Sequence, residues 1–313
     1  MGKYILRRIL YGLITLVGIS VIIFSIIHLI PGDPIQIMFG RNPNPELIAL
    51  AKKHYGLDKP VITQYFIWFG KLLKGDLGQS IIRRTPVVEL LLPRIGRTIS
   101  LTLLGIVFSV AIAIPTGIIA AWRHNTWTDF GVSSISLLLI SVPEFWIGIV
   151  FMIIFSVWLG IFPTSGYIPP FEDFVGWLKI LILPALTVAS VIAAQTTRMI
   201  RANMIEVMSL DYITLMRSAG VRQRRLLLIH AFRNAFIPVL TMIGMQIGML
   251  MGGIVIVERV FTFPGLGALL LKTLEERDYP VLQACIMVYA VAFVVINIII
   301  DLLYSVVNPK IRY

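Results

Sequence analysis

Charge is scarce along this chain: only 14% of its 313 residues are Asp, Glu, Lys or Arg, while 58% are hydrophobic. With a mean hydropathy of +0.89, too little polar surface remains to enclose a water-soluble core, so lipid is the expected solvent. Cysteine is almost absent. Cys285 stands alone inside an apolar run, which excludes a disulfide framework, a CxxC pair or a thiolate metal site and leaves a buried thiol. Acidic residues are few as well, 16 against 27 Lys and Arg, for a net charge of +11. The basic residues are scattered among apolar runs rather than gathered with aromatics on a polar domain, which argues against a nucleic-acid surface. No Gly-x4-Gly-Lys-Ser/Thr loop occurs, so the chain is not expected to hydrolyse ATP itself. His28, His54, His124 and His230 are far apart, without HExxH, and the topology below assigns them to both sides of a membrane. A metal or Ser–His site would need them to converge.

Long apolar runs are what the chain has in abundance. A helix rising 1.5 Å per residue needs roughly 20 apolar residues to cross about 30 Å of hydrocarbon. Six stretches approach that length, at about 9–30, 98–121, 132–162, 180–201, 236–257 and 284–307. The expected fold is an all-α integral membrane protein of six transmembrane helices. The first stretch is too long for a signal-peptide core and lacks a small-residue cleavage site, so it reads as a retained span. Between it and the second lies a polar insertion, 31–97, rich in Pro, Gly and charge, with helical pieces around Glu46–Tyr55 and Val61–Lys74. The organisation is thus 1–30, tail and first helix; 31–97, extracytoplasmic insertion; 98–307, a five-helix core with a cytoplasmic loop at 202–235; and a tail at 308–313.

Orientation follows from Lys and Arg in the short loops, because long segments translocate largely regardless of charge. Lys3, Arg7 and Arg8 mark the N-terminal tail, and Arg198, Arg201, Arg217, Arg222, Arg224, Arg225 and Arg233 the fourth-to-fifth loop. Lys310 and Arg312 mark the C-terminus. On the opposite side Lys179, Arg259, Lys272 and Arg277 are offset by six carboxylates, Glu172, Asp173, Glu258, Glu275, Glu276 and Asp278. Both termini are expected in the cytoplasm.

The loop carries the pattern Asp211-Tyr212-Ile213-Thr214-Leu215-Met216-Arg217-Ser218-Ala219-Gly220. Tyr212, Leu215 and Met216 fall at helical spacing, so a short amphipathic helix would show an apolar face to the lipid surface or to a partner's groove, and Gly220 suits its C-terminal stop. Polar groups inside spans are costly and mark a pathway or an interhelical contact. Glu144, after the helix-interrupting Pro143, would face a translocation cavity, the interface or another helix. Gln195, Gln246 and Asn297 are packing hydrogen bonds or pathway contacts. Gly244, Gly248 and Gly252, with Gly253 adjacent, form a stripe for close packing within the chain or between subunits.

The run from Asp211-Tyr212-Ile213 through Gly220 to His230-Ala231-Phe232-Arg233-Asn234-Ala235-Phe236-Ile237-Pro238 resembles the coupling loop of binding-protein-dependent ABC importer permeases. The likeness is to the dipeptide, oligopeptide and nickel branch. Further pieces follow in that branch's order: Pro31-Gly32-Asp33-Pro34, Gly75-Asp76-Leu77-Gly78-Gln79-Ser80, Leu183-Pro184-Ala185, Glu258-Arg259-Val260-Phe261, Pro264-Gly265-Leu266-Gly267, Arg277-Asp278-Tyr279-Pro280, Asp301-Leu302-Leu303-Tyr304 and Asn308-Pro309-Lys310. The resemblance spans essentially the whole chain. It implies a permease subunit in the cytoplasmic (inner) membrane, forming half of an alternating-access pathway. It also implies a second related permease, two cytoplasmic ATPase subunits that bind ATP and Mg, and an extracytoplasmic substrate-binding protein, with no cofactor on this chain. Asp211, Tyr212, Leu215, Met216, Arg217, Ala219 and Gly220 would then make or shape the ATPase contact. Thr214, Leu215 and Met216 depart from the family's Glu-Ala-Ala signature. Arg217, Arg222, Arg224 and Arg225 could pair with ATPase carboxylates, though topology alone asks for basic residues there. Di- and oligopeptides are the expected cargo, with nickel chelates and sugars as alternatives within the branch. A secondary transporter or channel is the alternative outside it, for which internal repeats or several paired intramembrane charges would be needed.

Overall fold

The computed structural model describes residues 2–29, 46 and 58–307. Among them no strand forms, and a lone bridge between Gln79 and Pro86 is the one extended pairing. The motifs Pro31-Gly32-Asp33-Pro34 and Asn308-Pro309-Lys310, the 308–313 tail and nearly all of the helical piece expected at Glu46–Tyr55 lie outside the described residues. Besides the single helical turn Gln223–Arg225, ten α-helices carry the described residues: α1 Gly2–Leu29, α2 Val61–Leu73, α3 Val87–Trp122, α4 Trp127–Ser141, α5 Glu144–Phe151, α6 Phe174–Met208, α7 Asp211–Ser218, α8 Phe232–Val260, α9 Leu266–Glu276 and α10 Tyr279–Val307. Two π-helical segments, Met152–Trp158 and Leu226–Ala231, extend α5 and precede α8.

Four stretches are single helices long and apolar enough to cross a membrane: Leu6–Ile26, Val87–Trp122, Phe174–Met208 and Tyr279–Leu302. The other two expected spans are broken. Trp127–Ser141 and Glu144–Trp158 meet at 109°, and Gln223–Phe236 and Pro238–Gly248 at 52°, so the count is four, or up to six with each bent pair taken as one. Proline accounts for both breaks. Pro143 lacks a donor and pushes Val142 to φ −94°, ψ 136°, outside the helical region, whereas Pro238 lies inside the continuous α8, where the missing N–H bends the helix without ending it. Hydropathy sees only the apolar stretch and cannot register the angle. It also undercounts length. At 36 and 35 residues, α3 and α6 would run for about 52–54 Å, well beyond a hydrocarbon core of about 30 Å.

The chain divides into two compact units, Met1–Arg97 with Gly265–Ile298, and Thr98–Pro264 with Ile299–Tyr313. In the first, α2 lies against α1 through Phe24, whose ring centroid is 5.4 Å from Tyr65 and 5.7 Å from Trp68. Ser20 and Tyr65 hydroxyls share a 2.9 Å hydrogen bond, and His28 meets Gln64 at 3.1 Å. The other side of α2, with Ile62, Phe66 and Leu73, is exposed. Two of the motifs meet here although they are almost 200 residues apart. The buried carboxylate of Asp278 accepts a hydrogen bond from the Ser80 hydroxyl and another, at 3.1 Å, from the Ile81 amide, and Arg83 donates to Glu276 at 2.7 Å. Left-handed Gly75 and Gly78 let the loop before Ser80 turn tightly enough to reach it. Beneath lie Val87, Leu91, Leu266, Leu269, Val281 and Cys285.

In the second unit α6 is the central helix, buried from Ile180 to Met204 along much of its length. α3 reaches it through small residues. A Cβ on Gly105 would stand 2.9 Å from Val188, and one on Gly117 2.7 Å from Ile200. Ser109 and Ala113, also buried, complete a run of small residues at four-residue spacing along the same face. Thr116 and Thr197 hydroxyls join the two helices at 2.8 Å. Gly117→Leu should therefore overpack this seam and cost about 1–3 kcal/mol, whereas Gly131→Ala, which meets open space, should be neutral or stabilising by up to about 1 kcal/mol. Thermal unfolding of the detergent-solubilised protein, followed by tryptophan fluorescence, distinguishes the two.

Candidate functional site

The short helix α7 follows α6 after a turn closed by Ser209 N–H to Glu206 and Leu210 N–H to Val207 hydrogen bonds. At about 100° per residue, Tyr212, Ile213 and Met216 share one side of α7, and Asp211, Thr214, Leu215 and Ser218 the other. The inner side is fixed to the protein. Ile213 is fully buried among Met204, Leu226, Leu227 and Ala231, with Tyr212, Met216 and Val221 packed around them. Asn234 on α8 donates to the Tyr212 hydroxyl at 2.8 Å. The outer side is open: Leu215 is 72% exposed, in a shallow depression lined by Asp211, Tyr212, Thr214, Leu215 and Ser218. The expected single apolar face of Tyr212, Leu215 and Met216 is thus divided, because Ile213 takes the centre of the buried side and draws Tyr212 and Met216 with it.

The stop of α7 is a Schellman turn. Gly220 has φ +81°, its N–H bonds Arg217 O at 3.1 Å, and the Val221 N–H bonds Met216 O at 3.1 Å. The accompanying apolar contact falls to Val221 and Met216, which join the same cluster, as the motif requires. Ala219 is the cap before it, and Arg217, Arg222, Arg224 and Arg225 are all exposed.

Inside the apolar helices the polar candidates separate. Gln246 donates to Gln195 Oε1 at 2.7 Å and accepts from the Thr196 hydroxyl at 3.1 Å, so α6 and α8 are cross-linked by a satisfied amide network. Asn297 donates to Phe293 O of its own helix at 2.8 Å. Glu144 differs. It opens α5 just after the break, one carboxylate oxygen lies 2.6 Å from the place of a Gly253 Cβ, and the other is buried without a hydrogen bond. A Cβ at 253 would make that carboxylate shift. Within the stripe, a Cβ on Gly244 would stand 2.5 Å from Ile300, Gly248 is buried, and a Cβ on Gly252 would meet nothing within 4 Å. Gly244 serves packing within the chain, while Gly252 faces outward.

One cluster carries no sequence motif. Asp129, in the first turn of α4 and 4% exposed, accepts from Arg201 Nε at 2.5 Å and Nη2 at 2.8 Å. His124 Nδ1, at 3.1 Å, and the Asn125 amide, at 3.0 Å, meet Oδ2, the oxygen that also accepts from Nη2. The available signal was a lone carboxylate at the edge of an apolar run, close to a histidine and matched by an arginine read only as a topology charge.

These features define a polytopic α-helical membrane protein with bent helix pairs and a short surface helix. Residues 113–313 match the family model described as binding-protein-dependent transport system inner membrane component, and residues 1–102 match the model for the N-terminal part of such membrane components. Over the full length of both chains, this one is 39% identical to a glutathione transport system permease protein of Escherichia coli. It is also 36% identical to a dipeptide transport system permease protein of Alkalihalophilus pseudofirmus, again with both chains fully covered. The chain belongs to the family of binding-protein-dependent transport system inner membrane components: it is a transport permease of a membrane system, as its motifs suggested.

The division of α7 makes its two sides separable by mutation. Ile213→Ala should destabilise the protein by about 2–5 kcal/mol, whereas Leu215→Ala should change stability by no more than about 0.5 kcal/mol. Thermal unfolding in detergent measures both.

Proposed function

We propose that this chain is one of two permease subunits of an ATP-driven importer for di- or oligopeptides, with α7 as the contact to a cytoplasmic ATPase subunit. The observation that carries the proposal is the form of α7 in a chain of this family. Its inner side is held by Ile213 and by the Asn234–Tyr212 hydrogen bond, while Leu215 stands out with Asp211, Thr214 and Ser218. An apolar side chain on a short helix so anchored suits insertion into a partner's groove. Full-length likeness to glutathione and dipeptide permeases supports a small peptide as cargo.

In this assembly each bent pair counts as one span, giving six. Both termini and the 202–235 loop lie in the cytoplasm, and the 31–97 insertion faces an external binding protein. ATP and Mg bind to two partner ATPases, and a second, related permease completes the pathway. ATP binding draws the ATPases together. The firm seat of α7 passes that motion to α6, and the cavity between permeases changes its open side. Glu144, Gln195, Gln246 and Asn297 are the candidate pathway residues, with Glu144 foremost because a carboxylate oxygen without a partner is costly unless something binds it. Gly252 offers a smooth face to the other permease, and Gly244 and Gly248 hold the helix within its own chain.

A cysteine at 215, in a background with Cys285→Ser, should crosslink to a cysteine placed in the groove of the ATPase subunit, with a yield that changes when ATP is added. Crosslinking only to lipid-phase reagents, unchanged by nucleotide, would reject α7 as the ATPase contact.

A further inference from the structure

Asp129 and Arg201 form a two-pronged ion pair. The guanidinium meets the carboxylate with two nitrogens, Nε at 2.5 Å and Nη2 at 2.8 Å, the planar fork geometry that fixes orientation as well as charge. The remaining capacity of the carboxylate is taken by His124 Nδ1 at 3.1 Å, the Asn125 amide at 3.0 Å and, more loosely, the Ser133 hydroxyl at 3.4 Å. Asn125 adopts φ +62°, which turns its N–H toward Asp129 and closes the α3–α4 connection around the carboxylate. Arg201 Nη2 also lies 3.2 Å from His124 Nδ1, which either donates to Asp129 or accepts from Arg201, according to its tautomer. One carboxylate therefore gathers α4, the α3–α4 turn and α6 at a single point.

The position of that point along α6 is what gives it a consequence. From Arg201 the helix runs unbroken to Met208, then through the bonded turn at Ser209–Leu210 into α7, ten residues from the ion pair to Asp211. On the other side, α4 runs from Asp129 to the break at Val142–Pro143, beyond which Glu144 lies against Gly253 of α8. Among the described residues, Asp129–Arg201 is the one ion pair that joins α4 to α6. The fork adds a directional tie to the packing of α4 against α6.

We propose that Asp129 and Arg201, with His124, form a latch that makes the first half of the broken span move with α6 and α7, so that displacement of α7 reaches the bend at Pro143. The proposal rests on α7 being the ATPase contact. Asp129 and Arg201 are positioning residues, assigned neither to nucleotide nor to the cargo.

The test uses the assembled complex, with its partner permease, ATPases and binding protein, reconstituted in vesicles. The measured quantity is peptide taken up per ATP hydrolysed, alongside the amount of assembled complex. Arg201→Met, Asp129→Asn and the double variant Asp129→Asn/Arg201→Met are compared with Arg201→Lys. The double variant leaves no unpaired buried charge, so it separates loss of folding from loss of the latch. The expected result is uptake per ATP lowered about tenfold in the double variant, a coupling change of typical size, with ATPase activity and the residue-215 crosslink retained. Arg201→Lys, which keeps the charge and one hydrogen bond, should recover most of the ratio. A double variant with uptake per ATP within about twofold of wild type, or one that fails to assemble at all, would show a purely structural pair and overturn the proposal. The wild-type complex reports separately on the importer assignment: uptake that proceeds without ATP would refute that assignment, whereas normal wild-type coupling with fully coupled variants refutes the latch alone.

Discussion

Along α3, Gly105, Ser109, Ala113 and Gly117 leave almost no side-chain bulk facing α6, and the two helices approach until Val188 and Ile200 fill the space where Cβ atoms would stand. In lipid this contact gains nothing from the removal of apolar surface from water, because hydrocarbon tails solvate Val and Ile as well as a neighbouring helix does. Close packing and a few interhelical hydrogen bonds must hold it instead. The Thr116–Thr197 bond lies in this seam. α6 is also the helix against which α4, α5 and α8 pack, and the one that continues into α7. Its fixed position is therefore the condition on which the surface helix, the amide network of Gln195 and Gln246 and the Asp129 cluster all depend.

Polar groups in the second unit follow a common rule. A group in an apolar setting is bonded either to its own helix or across to a neighbour, and the cross-links fall where two helices need a defined register. The Thr187 and Ser190 hydroxyls return to their own helix. Gln246 bridges α8 to α6, Thr98 donates to the buried Glu258 at 2.5 Å, and Arg201 bridges to α4. Glu144 stands apart, with a buried oxygen that no described group satisfies. It sits where α4 and α5 diverge at 109°, a geometry that a single spanning helix could not offer.

Much of this architecture was legible from the sequence. Apolar run length located every long helix, because the hydrocarbon thickness imposes it. Gly220 identified the end of α7, since a left-handed residue is what a Schellman stop needs. Three things were hidden. The angle at Pro143 was not readable, because proline marks a break without setting its direction. The two faces of α7 were merged, because periodicity groups apolar residues without saying that Ile213 would claim the centre of the buried face. Neither the Asp129–Arg201 pair nor the Asp278–Ser80 contact could be seen, because both join residues far apart in sequence. The run Gly105, Ser109, Ala113, Gly117 is a less regular signal than the glycine stripe of α8, of which Gly252 proves to face outward.

The central claim is that this chain transports only as part of an assembly driven from the side on which α7 lies. The most direct measurement is uptake of a labelled dipeptide into vesicles holding the complete complex, with binding protein outside and ATP supplied either inside or outside. Uptake that requires ATP on the side opposite the binding protein, and that vanishes when the chain is reconstituted alone, is the predicted result. Uptake by the isolated chain, indifferent to nucleotide, would contradict the account and leave a channel or secondary transporter in its place.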